Sequence, residues 1–175
     1  MRHEQEEKTP MDREERAKLI EQYRRGYETI QEAIHDMTEA EWDAREAPGP
    51  EGASWSPRQV IHHLADSEMT SAIRIRCLIV EDAPEIKGYE QDAFADQLYY
   101  DRPIETSLLA LQGARASTAA LLDRMTDQDW QSAGTHTEVG AFSADDWLRV
   151  YAVHCDEHAD QIRRARAAVD PGVRE

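Results

Sequence analysis

Two histidines near the C-terminal end of the sequence, His154 and His158, are four residues apart in a stretch with helical character. On an α-helix this spacing places both rings on one face, about one turn apart. Imidazole nitrogens so placed can bind one small cation, as paired histidines do for zinc. The pair therefore predicts a metal site on the last helix, with solvated or core histidines as the alternative.

A third histidine, His63, completes this predicted site. It lies seven residues after Ser56, and His154 lies eleven residues after Ser143, and both serines are predicted helix starts. The difference of four residues is about one turn, so the two rings stand on comparable faces. On spacing alone the neighbouring His62 is an equal candidate. Three protein ligands with an open fourth position are typical of catalytic zinc.

Two acidic residues near these histidines are weaker candidates for the chemistry. Residues 154–158 match the string H-x-x-E-H, but that protease class needs a glutamate ligand on a later helix, and only 17 residues follow His158. Glu157 stays a candidate base, although it lies about 100° around the helix from His158. Asp66, three residues after His63, is a candidate to orient a ligand ring, with a solvated helix acid as the alternative.

The composition describes a globular protein that does not bind membranes or nucleic acid. The chain has 175 residues, 40% of them hydrophobic, and no apolar run long enough to span a bilayer. Its 36 acidic and 20 basic residues give a net charge of −16, which repels a polyphosphate. Two cysteines do not make a disulfide framework, and the N-terminus lacks the apolar segment of a secretory signal. We predict a cytoplasmic protein.

Hydrophobic periodicity and helix-capping signals predict an all-α four-helix bundle. We expect a flexible leader over residues 1–11 and one domain over residues 12–170. Residues 83–101 are expected to form a long connection, and residues 131–142 a loop with at most a short extended piece. The predicted long helices are 12–37, 57–81, 103–122 and 143–169.

A short pattern recurs after the first and the third predicted helix. Residues 37–42 read Met-Thr-Glu-Ala-Glu-Trp, and residues 125–130 read Met-Thr-Asp-Gln-Asp-Trp. A serine-capped helix begins 14 residues after the first tryptophan and 13 residues after the second. This pattern favours a duplicated helix–loop–helix unit over a chance recurrence of capping boxes.

Two segments resemble motifs of a known family. Residues 55–67, Trp-Ser-Pro-Arg-Gln-Val-Ile-His-His-Leu-Ala-Asp-Ser, are similar to the second-helix signature of the DinB/YfiT-like superfamily, and residues 69–74 continue it. Residues 151–158, Tyr-Ala-Val-His-Cys-Asp-Glu-His, resemble the last-helix motif of that family. The resemblance runs from about residue 20 to residue 168.

The resemblance implies a four-helix bundle of DinB/YfiT type, commonly a homodimer, with one zinc or nickel ion held by three histidines. The metal ligands of the family correspond to His63, His154 and His158 of this sequence, and the resemblance thereby favours His63 over His62. The implied function is a metal-dependent enzyme that joins a low-molecular-weight thiol to electrophiles, as thiol S-transferases do in detoxification. A metal-dependent hydrolase acting on a small molecule and a non-catalytic metal-binding stress-response bundle are the alternatives.

Several positions depart from the family pattern, and they are expected to make the rim of the pocket more acidic. Glu68, for example, stands where close relatives commonly have a histidine. Arg74 is a candidate to bind a substrate carboxylate, with a surface ion pair as the alternative. The other departures are Asp156, Glu157, Asp160 and Gln161.

Overall fold

Four long helices form the body of the protein in this computed structural model, which describes residues 11–47 and 55–169. Two shorter helices lie in the connections. The long helices are α1 (Arg13–Ile34), α3 (Pro57–Val80), α5 (Glu105–Leu122) and α6 (Ala144–Ala167), and the short ones are α2 (Glu39–Trp42) and α4 (Gln91–Gln97).

The four long helices surround one apolar core. Helix α1 packs against α5 and α6, and α3 packs against the same two helices, so α1 and α3 lie across a diagonal of the bundle. One half of the core is built around Trp147 and Tyr23, the other around Ile30 and Leu64. The predicted all-α four-helix bundle is confirmed. Among the helices in the described part of the chain, none combines the length and the apolar character needed to cross a bilayer.

Capping boxes start the two helices that carry the histidines. The Ser56 hydroxyl accepts the Gln59 N–H at 3.4 Å, and Gln59 Oε1 accepts the Ser56 N–H at 3.1 Å. Ser143 and Asp146 exchange equivalent bonds at 3.1 Å each. Each pair satisfies two amide groups that a helix start otherwise leaves without partners. Both helices therefore begin where the sequence predicts, and this fixes which way their histidines face.

A small sheet corrects the predicted connections. Strand β1 (Glu85–Ile86) runs parallel to β2 (Ala133–His136), and β2 pairs antiparallel with β3 (Gly140–Ser143). Residues 131–142 are therefore mostly a hairpin and not a loop, and residues 83–101 contain both β1 and α4. Strands of two to four residues are too short to show an alternating pattern, and β1 exists only because it pairs with a segment about 50 residues away.

The predicted leader and the predicted domain limits stay predictions. Residues 1–10 of the predicted leader lie outside the described residues, as does residue 170. Met11, the last residue of the predicted leader, is buried, and its N–H donates to Asp145 Oδ2 at 2.9 Å. The two Thr-capped turns after α1 and α5 are present, at Thr38 and Thr126. The internal duplication itself stays a prediction.

A buried ion pair joins all four long helices at the centre of the bundle. Arg115 of α5 donates through Nη1 to Glu68 Oε2 of α3 at 2.7 Å, and both residues are 1% exposed. The Arg115 Nε donates to the Tyr23 carbonyl of α1 at 2.6 Å, and Nη2 donates to the Tyr151 carbonyl of α6 at 3.3 Å. The Tyr23 hydroxyl donates to the other Glu68 oxygen. Both charged groups of this ion pair therefore have hydrogen-bond partners inside the core.

Gly26 of α1 leaves the space that this arginine occupies. A Cβ atom at position 26 would lie 2.7 Å from Arg115 Cζ, closer than non-bonded carbon atoms approach. The guanidinium cannot retreat without breaking its hydrogen bonds to Glu68 and to the two carbonyls.

We predict that Gly26→Ala destabilises the protein by about 1–3 kcal/mol, because it overpacks the core against an arginine that cannot move. The control is Gly113→Ala in α5, where a Cβ would meet nothing within 4 Å. That change should stabilise the protein by about 0.5–1 kcal/mol through the higher helix propensity of alanine. Urea unfolding of the two variants measures both effects, and equal stabilities would contradict the proposed close packing.

Candidate metal centre

His63 of α3 meets His154 and His158 of α6 where these two neighbouring helices pack together. Each histidine offers one donor atom, and these three atoms lie within 4.8 Å of one another. The structure thus brings together the three side chains that the sequence and the resemblance single out. Within the described residues they form the one group of this kind.

The geometry of the donors fits a small divalent ion. His63 Nε2 and His154 Nε2 are 3.4 Å apart. Neighbouring donors of a tetrahedral site with metal–nitrogen distances of about 2.0–2.1 Å are separated by about 3.3–3.4 Å. The His158 Nδ1 donates to Gln161 Oε1 at 2.8 Å, which leaves the lone pair of its Nε2 available as a ligand.

The environment keeps all three imidazoles neutral. Burial, with a further contribution from the neighbouring His158, lowers the pKa of His63 to about 3. Burial and the same kind of repulsion lower the pKa of His154 to about 2, and burial lowers the pKa of His158 as well. A histidine binds a metal only in its neutral form, so the site is ready to bind without first releasing protons.

Two aromatic residues enclose the site, and the sequence did not single out either one. The Trp55 ring packs against His63 with 4.7 Å between ring centroids, and the Tyr151 ring lies 5.9 Å from His154. The His63 Nδ1 is buried and has no hydrogen-bond partner among the described residues, so packing against Trp55 holds this ring. Tyr151 precedes His154 by three residues, a spacing that places both on one face of α6.

The structure separates His62 from His63. The His62 Nε2 lies 2.9 Å from the Arg102 carbonyl, which only accepts, so this nitrogen donates. The His62 Nδ1, 2.8 Å from Ser107 Oγ, must then accept the hydroxyl hydrogen. Both nitrogens are used in joining α3 to the start of α5, and His62 has no free donor for a metal. The adjacent ring, His63, faces α6 instead.

The other predicted residues lie around the site without entering it. Glu157 is exposed on the outer face of α6. Asp66 accepts the Tyr100 hydroxyl at 2.7 Å and makes no hydrogen bond to His63. Arg74 donates through Nη1 to the Tyr151 hydroxyl at 2.7 Å and through Nη2 to the Lys87 carbonyl. A carboxylate-binding role for Arg74 stays a prediction.

We expected the departures from the family pattern to make the rim of the pocket more acidic, and this is not true of all of them. Glu68 is buried, and Arg115 neutralises its charge inside the core. Asp156 accepts a hydrogen bond from Gln22 at 2.7 Å, and Asp160 pairs with a nearby arginine of its own helix. Gln161 instead orients the His158 ring, because it accepts the Nδ1 hydrogen.

Known proteins share both the sequence and the fold of this domain. Residues 22–162 match the family model described as the DinB superfamily. A protein of Oceanobacillus iheyensis named "putative metal-dependent hydrolase" is 36% identical over 108 residues, or 62% of this chain. The matched part is 63% of that protein, so the chain spans a little under two thirds of this relative. A Bacillus cereus protein of the same name is 29% identical over 140 residues, 78% of this chain and 81% of the relative.

A solved structure extends this similarity to three dimensions. YfiT from Bacillus subtilis, described as a "probable metal-dependent hydrolase with an unusual four-helix bundle topology", is 27% identical to this chain. The two superimpose with a TM-score of 0.81, over 91% of this chain and 90% of YfiT. The arrangement of helices around the histidines is therefore shared with a known structure.

We predict that the affinity of this protein for Zn²⁺ falls less than about tenfold between pH 7.5 and pH 5.5. Three ordinary histidines with a pKa near 6.5 would lose about 1000-fold, because protons compete for each nitrogen as the pH falls. Here His63 and His154 stay neutral throughout that range, and only His158 could contribute. Competition titrations with a zinc indicator measure the affinity, and circular dichroism confirms the fold at each pH. A 1000-fold loss would contradict the depressed pKa values.

Proposed function

The chain belongs to the DinB superfamily, and from this premise we propose that it is a metal-dependent hydrolase whose divalent ion is held by His63, His154 and His158. One observation carries the proposal, the convergence of three neutral imidazoles with two Nε2 atoms 3.4 Å apart. The names of the relatives from Oceanobacillus and Bacillus agree with this reaction class. We take zinc as the resident ion and nickel as its substitute.

Neither of the two cysteines is a nucleophile for this reaction. Burial raises the pKa of the Cys155 thiol to about 12, and a hydrogen bond with Glu81 raises the pKa of Cys77, so neither thiol ionises at neutral pH. A divalent ion with three protein ligands supplies a Lewis acid with an open position, where a water molecule can be activated near pH 7. The nucleophile then comes from solution.

The surrounding side chains position the reacting groups. Gln161 holds the His158 ring in the tautomer that presents Nε2, and Trp55 covers the His63 ring. The Tyr151 hydroxyl accepts a hydrogen bond from Arg74, so its own hydrogen is free to be donated to a substrate oxygen beside His154. Because His154 and His158 are partly exposed, a small substrate can approach the donors from this side.

Thiol S-transfer is the second candidate, and the raised pKa values of the two cysteine thiols agree with it equally well, because its nucleophile also comes from solution. A divalent ion held by the three histidines would stabilise the thiolate of an external low-molecular-weight thiol, with the proton released to solvent. The sulfur would then form a bond to a carbon of the electrophile as the carbon–halogen bond or the epoxide C–O bond at that carbon breaks. The histidine set serves either reaction, because only the incoming ligand differs. We propose small molecules as the partners in both cases and a homodimer as the assembly.

We predict that the protein binds one equivalent of Zn²⁺ and that His154→Ala weakens this binding at least about 100-fold, because two histidines hold the ion less firmly than three. Elemental analysis after dialysis against a weak chelator measures the content. His35→Ala, at an exposed histidine paired with Asp36, should keep the full equivalent. His62→Ala should also keep the metal but lower stability, because it leaves the buried Ser107 hydroxyl and the partly buried Arg102 carbonyl without this partner.

The reaction is then tested with the zinc-loaded protein. Hydrolysis of activated esters that disappears in His154→Ala and persists in His35→Ala supports the hydrolase. Conjugation of a bacterial thiol to an epoxide or a chlorinated electrophile, without ester cleavage, would move the assignment to thiol transfer. Wild-type protein without stoichiometric metal would refute both enzymatic functions and leave a non-catalytic bundle.

A further inference from the structure

A groove runs along α3 beyond His63, and nothing in the proposed reaction has yet used it. From its position and lining we infer that this groove holds the apolar, uncharged part of the substrate, an alkyl, acyl or aryl group whose reacting end lies at the three histidines. The inference rests on the proposed function, because it assigns the second half of the same substrate.

The groove has the size and the walls of a small-molecule site. Its volume is about 420 Å³, within the range of about 300–1,000 Å³ of typical ligand pockets. Its apolar lining comes from Met69 and Ile73 of α3, Ile86 of β1 and Phe94 of α4. The helix α4 and the strand β1 thus serve to enclose this groove.

Two apolar side chains that line the groove, Met69 and Ile73, are unusually exposed. Met69 is 42% exposed and Ile73 is 64% exposed, although most of α3 is buried. A ligand that covers such side chains gains free energy in proportion to the apolar area that it removes from water. A contiguous apolar surface in a concave site gives an apolar ligand a place to gain that free energy.

The groove continues the face of α3 that carries the metal ligand. Thr70 and Cys77 line the groove, and they follow His63 at steps of seven residues. Residues seven apart on a helix lie two turns along nearly the same stripe. Asp66, the first lining residue, is one turn from His63. A molecule lying in the groove along α3 therefore points one end toward the histidines.

Arg74 connects the groove to the metal centre through direct contacts. This residue lines the groove, and its Nη1 donates to the Tyr151 hydroxyl at 2.7 Å. The Tyr151 ring lies 5.9 Å from His154. On its other side the guanidinium donates to the Lys87 carbonyl next to β1, so one side chain holds the groove wall against α6.

The charges at the rim favour an uncharged ligand. Asp66 and Glu85 are opposed by Arg74 and Lys87, so the lining carries no net charge. Asp66 is engaged by Tyr100, and Arg74 is engaged by Tyr151. A charged chain would gain little there and would lose its hydration, whereas an apolar chain would lose nothing.

Chain length of the ligand provides the test. We expect the zinc-loaded protein to bind octanamide with higher affinity than butanamide, by up to about fourfold for each added methylene. Nuclear magnetic resonance should show the shifts at residues of α3 and β1 that line the groove. Ile73→Glu should weaken octanamide binding at least about tenfold and flatten the preference for long over short p-nitrophenyl esters, while metal content stays at one equivalent.

Leu109→Glu is the matched control. Leu109 is an apolar residue of α5 with 66% exposure that does not line the groove, and its change should leave octanamide binding and the preference for long esters as in the wild type. An equal effect of both substitutions would overturn the assignment of the groove.

The outcomes separate this inference from the function on which it rests. Octanamide that binds at the groove without turnover of any ester would support the groove and refute the hydrolase. Ester turnover without dependence on chain length, and without octanamide binding, would overturn the groove and leave the hydrolase standing. A third outcome would also overturn the inference. If sedimentation shows that Ile73→Glu converts a dimer to a monomer, and if neither form binds octanamide, the groove is the binding surface for a second copy of this chain.

Discussion

The buried pair of Arg115 and Glu68 is the interaction on which the arrangement of the four helices depends. Removing two charges from water costs several kcal/mol each, and their attraction compensates only when the remaining hydrogen-bonding groups are also satisfied. Here three guanidinium nitrogens and both carboxylate oxygens have partners, drawn from all four long helices. A shift of α3 or α5 along its axis would separate the two buried charges, and a shift of α1 or α6 would leave a guanidinium N–H without its carbonyl acceptor, so the network favours one register. Its role is therefore specificity of packing more than added stability.

The same network positions the two helices that carry the histidines. Glu68 lies five residues after His63 on α3, and the Tyr151 carbonyl lies three residues before His154 on α6. Both helices are thus fixed against Arg115 within about one and a half turns of the histidines. The guanidinium also acts through its charge, because it helps to lower the pKa of His154 after burial and the neighbouring histidines. One arginine in the core therefore both aligns the ligands and favours the neutral form that binds a metal.

Features that depend on neighbouring residues in the chain are predicted correctly from the sequence. Features that depend on contacts between distant segments are not. Capping boxes at Ser56 and Ser143 and the spacing of His154 and His158 are local, and all are found as expected. Spacing could not choose between His62 and His63, because residues 60–65 are all buried and α3 shows no solvent face there. An arginine in a helix is usually a surface residue, so the core position of Arg115 leaves no local signal. The strand β1 forms only by pairing with β2, so the local sequence does not predict it either.

A site built in this way leaves the choice of reaction to its surroundings. A divalent ion held by three imidazoles would offer the same open position to a water molecule or to a thiol, and the thiols of Cys77 and Cys155, whose pKa values are raised, add no competing thiolate. What differs between possible substrates is the part that does not react. Part of the groove lining along α3 consists of exposed apolar residues, Met69 and Ile73, whose side chains form none of the hydrogen bonds of the core network. These positions can change without disturbing Arg115 or the histidines. Specificity and metal binding are therefore separable in this fold, because the apolar side chains that line the groove and the histidines that would hold the ion are different residues of α3.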